Sequence, residues 1–297
     1  MTTDNTPQSR LSQFTQSGAG LTFVLASFAI LAFAGNSLLA RAALSTEMGG
    51  NGAIEAGAFS AIRLAAGALV LLPFLGKRPS MKDAPGALSL AVYVAGFSLA
   101  YLSLGAAIGA LILFACVQAT IIIVGLIRGE GLPLLGWIGL LVAMGGLVLL
   151  LAPGGEAVAW SAAAMMAVAG VAWGAYTLIG RSSSDATGST ARAFLLATPL
   201  VVPMLWLDSA MPSWHGVALA VIAGAVTSGM GYVVWYKVTP RLGLATVASV
   251  QLATPVVAAI GGVLLLSEPL DWRLMVGGAL IVGGIVLTII KPKPSAS

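Results

Sequence analysis

The sequence has 297 residues, of which 59% are hydrophobic and only 8% are charged. A soluble globular protein carries about 25% charged residues to cover its surface, so this composition excludes that class and predicts a membrane protein. The net charge of +4 does not indicate nucleic-acid binding, because in a membrane protein the positions of Lys and Arg matter more than their sum. Cys116 is the single cysteine, which excludes an intrachain disulfide.

The chain begins with a polar stretch, residues 1–19, that we predict to be a mobile tail. An apolar helix is predicted next, from about 21 to 44. Ala32-Phe33-Ala34 has the small residues of a signal-peptide cleavage site. However, the leader before it is long and contains one basic residue, Arg10, and the apolar run continues past the site. We therefore predict a first membrane helix that is retained.

Charged residues and breaks rich in Gly or Pro divide the rest of the chain into apolar segments. The uncharged run 84–127 would extend about 66 Å as one helix, roughly twice the hydrocarbon thickness, so it must fold back near 103–105. The fold class predicted is an all-α membrane protein with ten transmembrane helices, at about 21–44, 56–75, 84–103, 106–127, 132–151, 160–180, 191–207, 216–236, 243–268 and 274–290.

The positions of Lys and Arg predict the orientation, because basic residues concentrate on the cytoplasmic side. With the N-terminus in the cytoplasm, the outer side carries only Arg41 and Arg273, and Arg63 falls within a helix. The cytoplasmic side then carries the other basic residues, which are Arg10, Lys77, Arg78, Lys82, Arg128, Arg181, Arg192, Lys237, Arg241, Lys291 and Lys293. This asymmetry predicts that both termini are cytoplasmic.

The two halves of the sequence repeat one pattern. Residues 33–41 parallel residues 173–181, and the glycine pair at 145–146 matches the pair at 283–284. Pro73 also parallels Pro203, and Glu130 parallels Glu268. Each half has five predicted helices, an odd number, so the second half would be inverted in the membrane, as in many secondary transporters. We predict a tail at 1–19, repeats at 20–153 and 154–290, and a second cytoplasmic tail at 291–297.

Motifs of the second half resemble those of a known family. They are Gly231-Tyr-Val-Val-Trp-Tyr-Lys237, Arg241-Leu-Gly-Leu-Ala245, Pro255, Leu266-Ser-Glu-Pro269 and the later glycine pairs, with Ala61-Ile-Arg-Leu64 and Arg128-Gly-Glu130 in the first half. The chain resembles the drug/metabolite transporter superfamily, in its ten-helix branch of paired EamA-type repeats. Helix 1 departs from the pattern, since Phe33-Ala34-Gly35 stands where Trp-Gly is common. Within the superfamily it looks most like bacterial aromatic amino-acid exporters.

Aromatic side chains inside the predicted helices are candidates for a substrate cavity, where they could stack on flat substrates or hold an ammonium group. The aromatic candidates are Tyr93, Tyr101, Trp173, Tyr176 and Tyr232. The alternative is the interfacial aromatic belt, which suits residues at the ends of helices. It is the better interpretation for Trp137, Trp160, Trp206, Trp214 and Trp272, and it also applies to Trp235 and Tyr236 beside Lys237.

Polar residues inside the helices are the other binding candidates. Asn36, Gln118 and Gln251 are buried amides that need partners, which either the substrate or a neighbouring helix could supply. Arg63 could hold a substrate carboxylate, or it could extend to the outer interface and meet Glu55 or Glu47. Gln118 and Gln251 mark the predicted fourth and ninth helices, which would face each other as a pseudo-symmetric gate.

Prolines within helices are candidates for kinks that act as gates, namely Pro199, Pro203 and Pro255. No Asp or Glu falls in the middle of a predicted helix, whereas proton- and sodium-driven carriers often place carboxylates there. We therefore predict facilitated or gradient-driven transport. No cofactor and no metal site is predicted.

The sequence thus predicts a secondary transporter, not an enzyme, that exports aromatic and other neutral amino acids across the bacterial inner membrane by alternating access. Its expected partners are a small-molecule substrate and the lipid bilayer, without nucleic acid, and a monomer is expected. The alternative within transport is a carrier of other small metabolites or of lipophilic cationic drugs. An intramembrane enzyme is disfavoured because the single histidine, His215, has no catalytic partner motif. A scaffold or sensor is disfavoured because there is no soluble domain.

Overall fold

The computed structural model describes residues 7–45, 53–129, 133–151, 159–238, 251 and 253–289. This part of the chain is built from helices and connecting turns. The helices are α1 (Pro7–Leu44), α2 (Ala56–Leu71), α3 (Ala84–Ala100), α4 (Ala106–Ile127), α5 (Leu134–Leu151), α6 (Trp160–Arg181), α7 (Ala186–Val201), α8 (Trp214–Val238), α9 (Ala253–Leu266) and α10 (Trp272–Ile289).

Within the described ranges, seven helices are long and apolar enough to cross a membrane: α1 to α4 and α6 to α8. The apolar parts of α5, α9 and α10 are shorter. The protein is therefore a multi-pass helical membrane protein. Ten crossings and an inverted repeat depend on these three shorter helices and stay predictions.

The first helix is longer than expected. It begins at Pro7, so most of the predicted tail continues α1 as helix. Proline suits the first turn of a helix, because its fixed φ is helical and its missing N–H has no intrahelical partner there. The part of the predicted tail that begins at Pro7 is therefore helical, and its mobility stays a prediction.

Two prolines end the second helix of each half in the same way. Pro73 lies in a 3₁₀ segment, Leu72–Phe74, that follows α2, and Pro203 lies in a 3₁₀ segment, Val202–Leu207, that follows α7. Proline cannot donate to the α-helical ladder, so the chain tightens where the ladder stops. Pro203 therefore ends a helix, whereas Pro199 remains inside α7.

Helix α8 contains an unusual π-helical segment, Ala223–Met230, between two α-helical parts. It packs closely on α2, because a Cβ added to Gly224 would collide with the backbone carbonyl of Arg63. A Cβ added to Gly67 would likewise collide with the ring of Phe194 and lie 3.1 Å from the Gly224 carbonyl oxygen. Because these glycines have no side chains, α2 and the middle of α8 can approach to direct backbone contact. Segments of π-helix are often found at functional sites.

The halves of the chain are joined by carboxylates at helix ends. The Asp208 carboxylate accepts hydrogen bonds from the backbone N–H groups of Gly57 (3.0 Å) and Ala58 (2.6 Å) at the start of α2. Glu55 accepts in return from the backbone N–H groups of Ser209 (2.9 Å) and Ala210 (3.0 Å), just after α7. Each acid thus satisfies backbone donors on the other segment, and the start of α2 is fixed to the end of α7.

These bonds make the contribution of Glu55 to the stability of the folded protein depend on pH. The backbone N–H of Ser209, together with its hydroxyl, lowers the pKa of the Glu55 carboxyl below its ordinary value of 4.5. A lowered pKa stabilises the folded protein above the unfolded-state pKa, and this contribution is lost as the pH falls through the folded-state pKa. We expect Glu55→Gln to lower the apparent Tm in detergent at pH 7, with a gap to wild type that narrows as the pH falls below 4.5 and through the lowered pKa of Glu55. A gap of constant size over this range would contradict the assignment.

Candidate functional site

A fully buried arginine lies at the centre of the bundle. Arg63 of α2 has no exposed surface. Its Nη2 donates to the hydroxyl of Tyr93 on α3 (3.1 Å), and its Nε donates to the hydroxyl of Ser228 in the π segment of α8 (3.2 Å). The guanidinium carbon lies 5.3 Å from the ring centre of Tyr93 and 4.8 Å from that of Phe97. Hydroxyl oxygens and aromatic faces therefore surround the charge.

The hydroxyl of Tyr93 joins this arginine to a second polar group. It also accepts a hydrogen bond from Asn36 Nδ2 on α1 (3.1 Å). The Asn36 amide oxygen in turn accepts from the hydroxyl of Thr227 (3.4 Å), beside Ser228. The network links α1, α2, α3 and the π segment of α8.

The positive charge of Arg63 is incompletely balanced. Burying an ion costs several kcal/mol even after relaxation, and a cation–π contact returns about 0.5–2 kcal/mol. Nη1 is buried without a hydrogen-bond partner, and among the described residues no carboxylate pairs with the guanidinium. The acids with known partners bind elsewhere: Asp83 and Asp185 to Arg192, Glu268 to Arg41, and Glu55 and Asp208 to backbone groups. The site therefore favours an anion.

Aromatic rings form the opposite wall of the site. The ring centre of Trp173 on α6 lies 4.9 Å from that of Tyr93 and 4.8 Å from that of Tyr232 on α8. Phe33 on α1 packs edge-on against Trp173 at 6.2 Å and against Tyr232 at 5.7 Å. These distances are typical of favourable aromatic pairs.

The rings enclose a cavity of about 10 Å³, enough for one water molecule. It is lined by Phe33, Asn36, Ser37, Tyr93, Phe97, Leu113, Phe114, Trp173 and Tyr232. No amino-acid-sized molecule fits in this space. The structure thus represents a closed arrangement of the site, and the rings must separate before a substrate enters.

The structure brings some predicted site residues together and leaves others apart. Asn36, Tyr93, Trp173 and Tyr232 line the cavity, with Arg63 behind Tyr93 and Phe97. Tyr176 is one layer further out, with its ring centre 5.3 Å from that of Trp173.

The remaining candidates do not line the cavity. Tyr101 packs on Phe97, and its hydroxyl lies 3.4 Å from the carbonyl of Ala106. Gln118 and Gln251 are buried, and Gln251 Nε2 has no hydrogen-bond partner. Substrate contact by these three residues stays a prediction.

Two alternative interpretations of the sequence prove wrong. Arg63 does not extend to Glu55, because its guanidinium is bound at the centre of the bundle while Glu55 binds Ser209 and Ala210. Trp235 is not an interfacial residue, since it is buried with its ring centre 5.6 Å from that of Phe33. The five tryptophans assigned to the aromatic belt are all exposed: Trp137, Trp160, Trp206, Trp214 and Trp272.

Several site residues were missed by the sequence analysis. Phe33 was noted only as a departure from the family pattern, yet it lines the cavity. Thr227 and Ser228 hold Asn36 and Arg63 from the π segment. Two adjacent hydroxyl residues followed by glycine, in the middle of an uncharged helix, were the available signal for them.

Glu268 has a defined structural role. Its carboxylate accepts from the N–H groups of Ala106 (2.6 Å) and Ala107 (3.4 Å) at the start of α4, and it lies 3.6 Å from Arg41 Nε. The negative carboxylate is favourable at this helix N-terminus. Its predicted counterpart, Glu130, lies outside the described residues. Pro255 is in the first turn of the described α9.

A bundle of apolar helices that encloses a polar, aromatic-lined chamber is the architecture of a membrane transporter. Residues 160–290 match the EamA-like transporter family. A Pseudomonas aeruginosa protein, described as uncharacterized protein PA1977, is 44% identical over 284 residues, covering 92% of this chain and 95% of the relative. The chain belongs to the EamA-like transporter family.

More distant relatives include two proteins described as transporters. An uncharacterized transporter of Archaeoglobus fulgidus is 24% identical over 229 residues, which are 73% of this chain and 82% of the relative. Another from the same organism is 28% identical over 178 residues, 56% of this chain and 61% of the relative. A crystal structure titled only as that of a protein is similar with a TM-score of 0.64 at 18% identity, covering 90% of this chain and 96% of that one. This last similarity concerns the fold.

Proposed function

We propose that this transporter is a secondary carrier that exports amino acids, aromatic and other neutral ones, from the cytoplasm across the bacterial inner membrane. The observation that carries the proposal is the small chamber, in which the closely packed, mutually tilted rings of Trp173, Tyr232 and Tyr93 adjoin the buried cation of Arg63. An aromatic amino acid has a flat apolar ring and a carboxylate, the two features that such a chamber complements. The ten-helix, inverted-repeat plan with cytoplasmic termini is part of this proposal, as is a monomeric carrier.

A closed chamber is one of the states that alternating access requires. The substrate exchanges with one side, is enclosed, and is then released to the other side. Among the described residues, no Asp or Glu lines the cavity, which favours transport down a gradient without a buried proton carrier. Strong uphill uptake driven by a pH gradient alone would contradict this part of the proposal.

Carriage of lipophilic cations is the weaker alternative. A cationic drug would enter a chamber that adjoins the fixed charge of Arg63 and has no carboxylate among its lining residues within the described ranges. Like charges at close range in a low-dielectric interior repel strongly. Anionic or zwitterionic substrates are therefore the better match, and other small metabolites of this kind are the alternative that the same experiment tests.

Counterflow in proteoliposomes tests the proposed function. Labelled phenylalanine, tryptophan, leucine, a nucleobase and a lipophilic cation are compared, and the aromatic amino acids are expected to exchange fastest. We expect Trp173→Ala to slow this exchange about tenfold, because it removes stacking and burial worth about 1.4 kcal/mol, with Trp173→Phe intermediate.

Trp206→Ala is the matched control. Trp206 is 89% exposed, so its loss should leave the exchange rate unchanged. Unchanged rates in Trp173→Ala, or exchange of the cation alone, would reject the assignment of the chamber.

A further inference from the structure

We propose that the site recognises the carboxylate of its substrate through Arg63 and has no charged receptor for the ammonium group. The class of ligands would then be hydrophobic and aromatic monocarboxylates, with or without an α-amino group. This inference rests on the proposed function in one respect, namely that the central chamber is where substrate binds.

One edge of the Arg63 guanidinium is available to bind an anion. Nε and Nη2 donate to Ser228 and Tyr93, whereas Nη1 is buried and has no partner. A planar guanidinium binds a carboxylate best through two parallel N–H bonds, here from Nη1 and Nη2. A substrate oxygen would take the position of the Tyr93 hydroxyl on Nη2, while the second oxygen would satisfy Nη1.

The access route passes the ring of Tyr93. Tyr93 and Phe97 line the cavity and Arg63 does not, although its guanidinium lies only 5.3 and 4.8 Å from their ring centres. Withdrawal of Tyr93 would therefore release Nη2 and open the path to Nη1 in one movement. The same movement would break the bond from Asn36 and so loosen the link between α1 and α3. Carboxylate binding and opening of the closed chamber are thus coupled through one hydroxyl.

The ammonium group of an amino acid would find only weak partners. The lining residues with polar side-chain atoms besides Tyr93 are Asn36, Ser37, Trp173 and Tyr232, and all four are neutral. No acid of the described ranges is among the lining residues. Aromatic faces can attract an ammonium group, but the fixed charge of Arg63 lies beside the same rings and opposes it. The site therefore recognises the charge of the carboxylate but not that of the ammonium group.

Binding to the full-length protein in detergent tests this inference without requiring transport. The probes are phenylalanine, 3-phenylpropionate, which lacks the ammonium group, and phenethylamine, which lacks the carboxylate; the readout is the ligand-dependent rise in Tm. We expect apparent affinities for phenylpropionate and phenylalanine within about tenfold of each other, and at least about 30-fold weaker binding of phenethylamine. Binding of phenethylamine but not phenylpropionate would overturn the inference.

Variants of Arg63 and a surface arginine complete the experiment. Arg63→Gln should abolish the response to phenylpropionate, and Arg63→Lys should retain part of it, since lysine keeps the charge but not the planar fork. Arg181→Gln is the control, because Arg181 is exposed at the end of α6. An equal loss in Arg181→Gln would show nonspecific anion binding and would also overturn the inference.

Counterflow separates this inference from the proposed function. If the protein exchanges phenylalanine while phenylpropionate neither binds nor competes, the proposed function stands and the inference fails. If phenylpropionate binds through Arg63 but no amino acid is exchanged, the inference stands and amino-acid export is rejected.

Discussion

Gly224→Val is expected to lower the apparent Tm by roughly 6–12 °C, which corresponds to about 3 kcal/mol for a chain of this size. The position that a Cβ would take at Gly224 is occupied by the backbone carbonyl of Arg63. A flexible side chain could move aside, but this obstacle is the main chain of a packed helix. The larger residue must therefore push the π segment of α8 away from α2.

The same displacement should reach the functional site. Ser228 lies one helical turn beyond Gly224 and holds Nε of Arg63, so separation of the helices would break this bond. Gly145→Val in α5 is the matched control, because nothing lies within 4 Å of the Cβ that it would add. Thermal unfolding in detergent with purified protein distinguishes the two variants, and equal losses of Tm would refute the close-approach argument.

Unlike Gly224→Val, Arg63→Met is expected to reduce transport without lowering the Tm. Transport should fall at least about 100-fold, because the anion-binding group is lost, while Tm stays unchanged or rises. Replacement of a poorly compensated buried ion by an apolar side chain of similar volume is often neutral or stabilising by about 1–4 kcal/mol. The Tyr93 hydroxyl still accepts from Asn36 in this variant, whereas the buried Ser228 hydroxyl loses its bond from Nε.

The measurements are counterflow and thermal unfolding on one preparation of the protein. A fall in Tm of several degrees together with the loss of transport would show that the guanidinium is structural. Retention of wild-type exchange rates in a folded Arg63→Met protein would remove Arg63 from the site altogether. Comparison with Gly224→Val then distinguishes the loss of helix packing from the loss of the anion-binding group.

The positions of the helices could be predicted because hydropathy and charged loops mark them strongly. The turn predicted near 103–105 falls where α3 ends at Ala100 and α4 begins at Ala106. Local changes of helix type could not be predicted in the same way. The π segment depends on contact between Gly224 and α2, which are distant in the sequence. The extension of α1 to Pro7 was missed because its polar composition concealed a helix.

The site was less predictable than the fold, because hydropathy does not report which face of an apolar helix turns inward. Tyr93 lies within α3 and Tyr101, eight residues later, directly follows its last residue, yet only Tyr93 lines the cavity. That separation corresponds to about 12 Å along a helix, more than the depth of so small a chamber. The direction in which the Arg63 side chain points could not be predicted either, because it is set by partners on other helices, Tyr93 and Ser228.

The proposed gate between α4 and α9 keeps its status as a prediction. Ala110 of α4 and Ala258 of α9 pack in one small cluster with Ala34, so the two helices meet. Most residues between Val238 and Ala253, where the predicted ninth helix begins, lie outside the described ranges. Whether Gln118 and Gln251 contact substrate depends on side-chain movements that open the chamber, and these are not determined by sequence spacing.

The bonds made by α7 and the segment after it limit how this protein can move. Asp208, just beyond the 3₁₀ segment that follows α7, holds the start of α2, and Arg192 in the first half of α7 binds Asp83 (2.8 Å) and the carbonyl of Leu75 (3.1 Å). These bonds fasten α7 and the 3₁₀ segment after it to the stretch that runs from α2 into α3. We infer that α2, α7 and the start of α3 form a frame that moves as one body and carries Arg63 and Tyr93. The motion that exposes substrate to either side of the membrane would then belong to the helices around this frame.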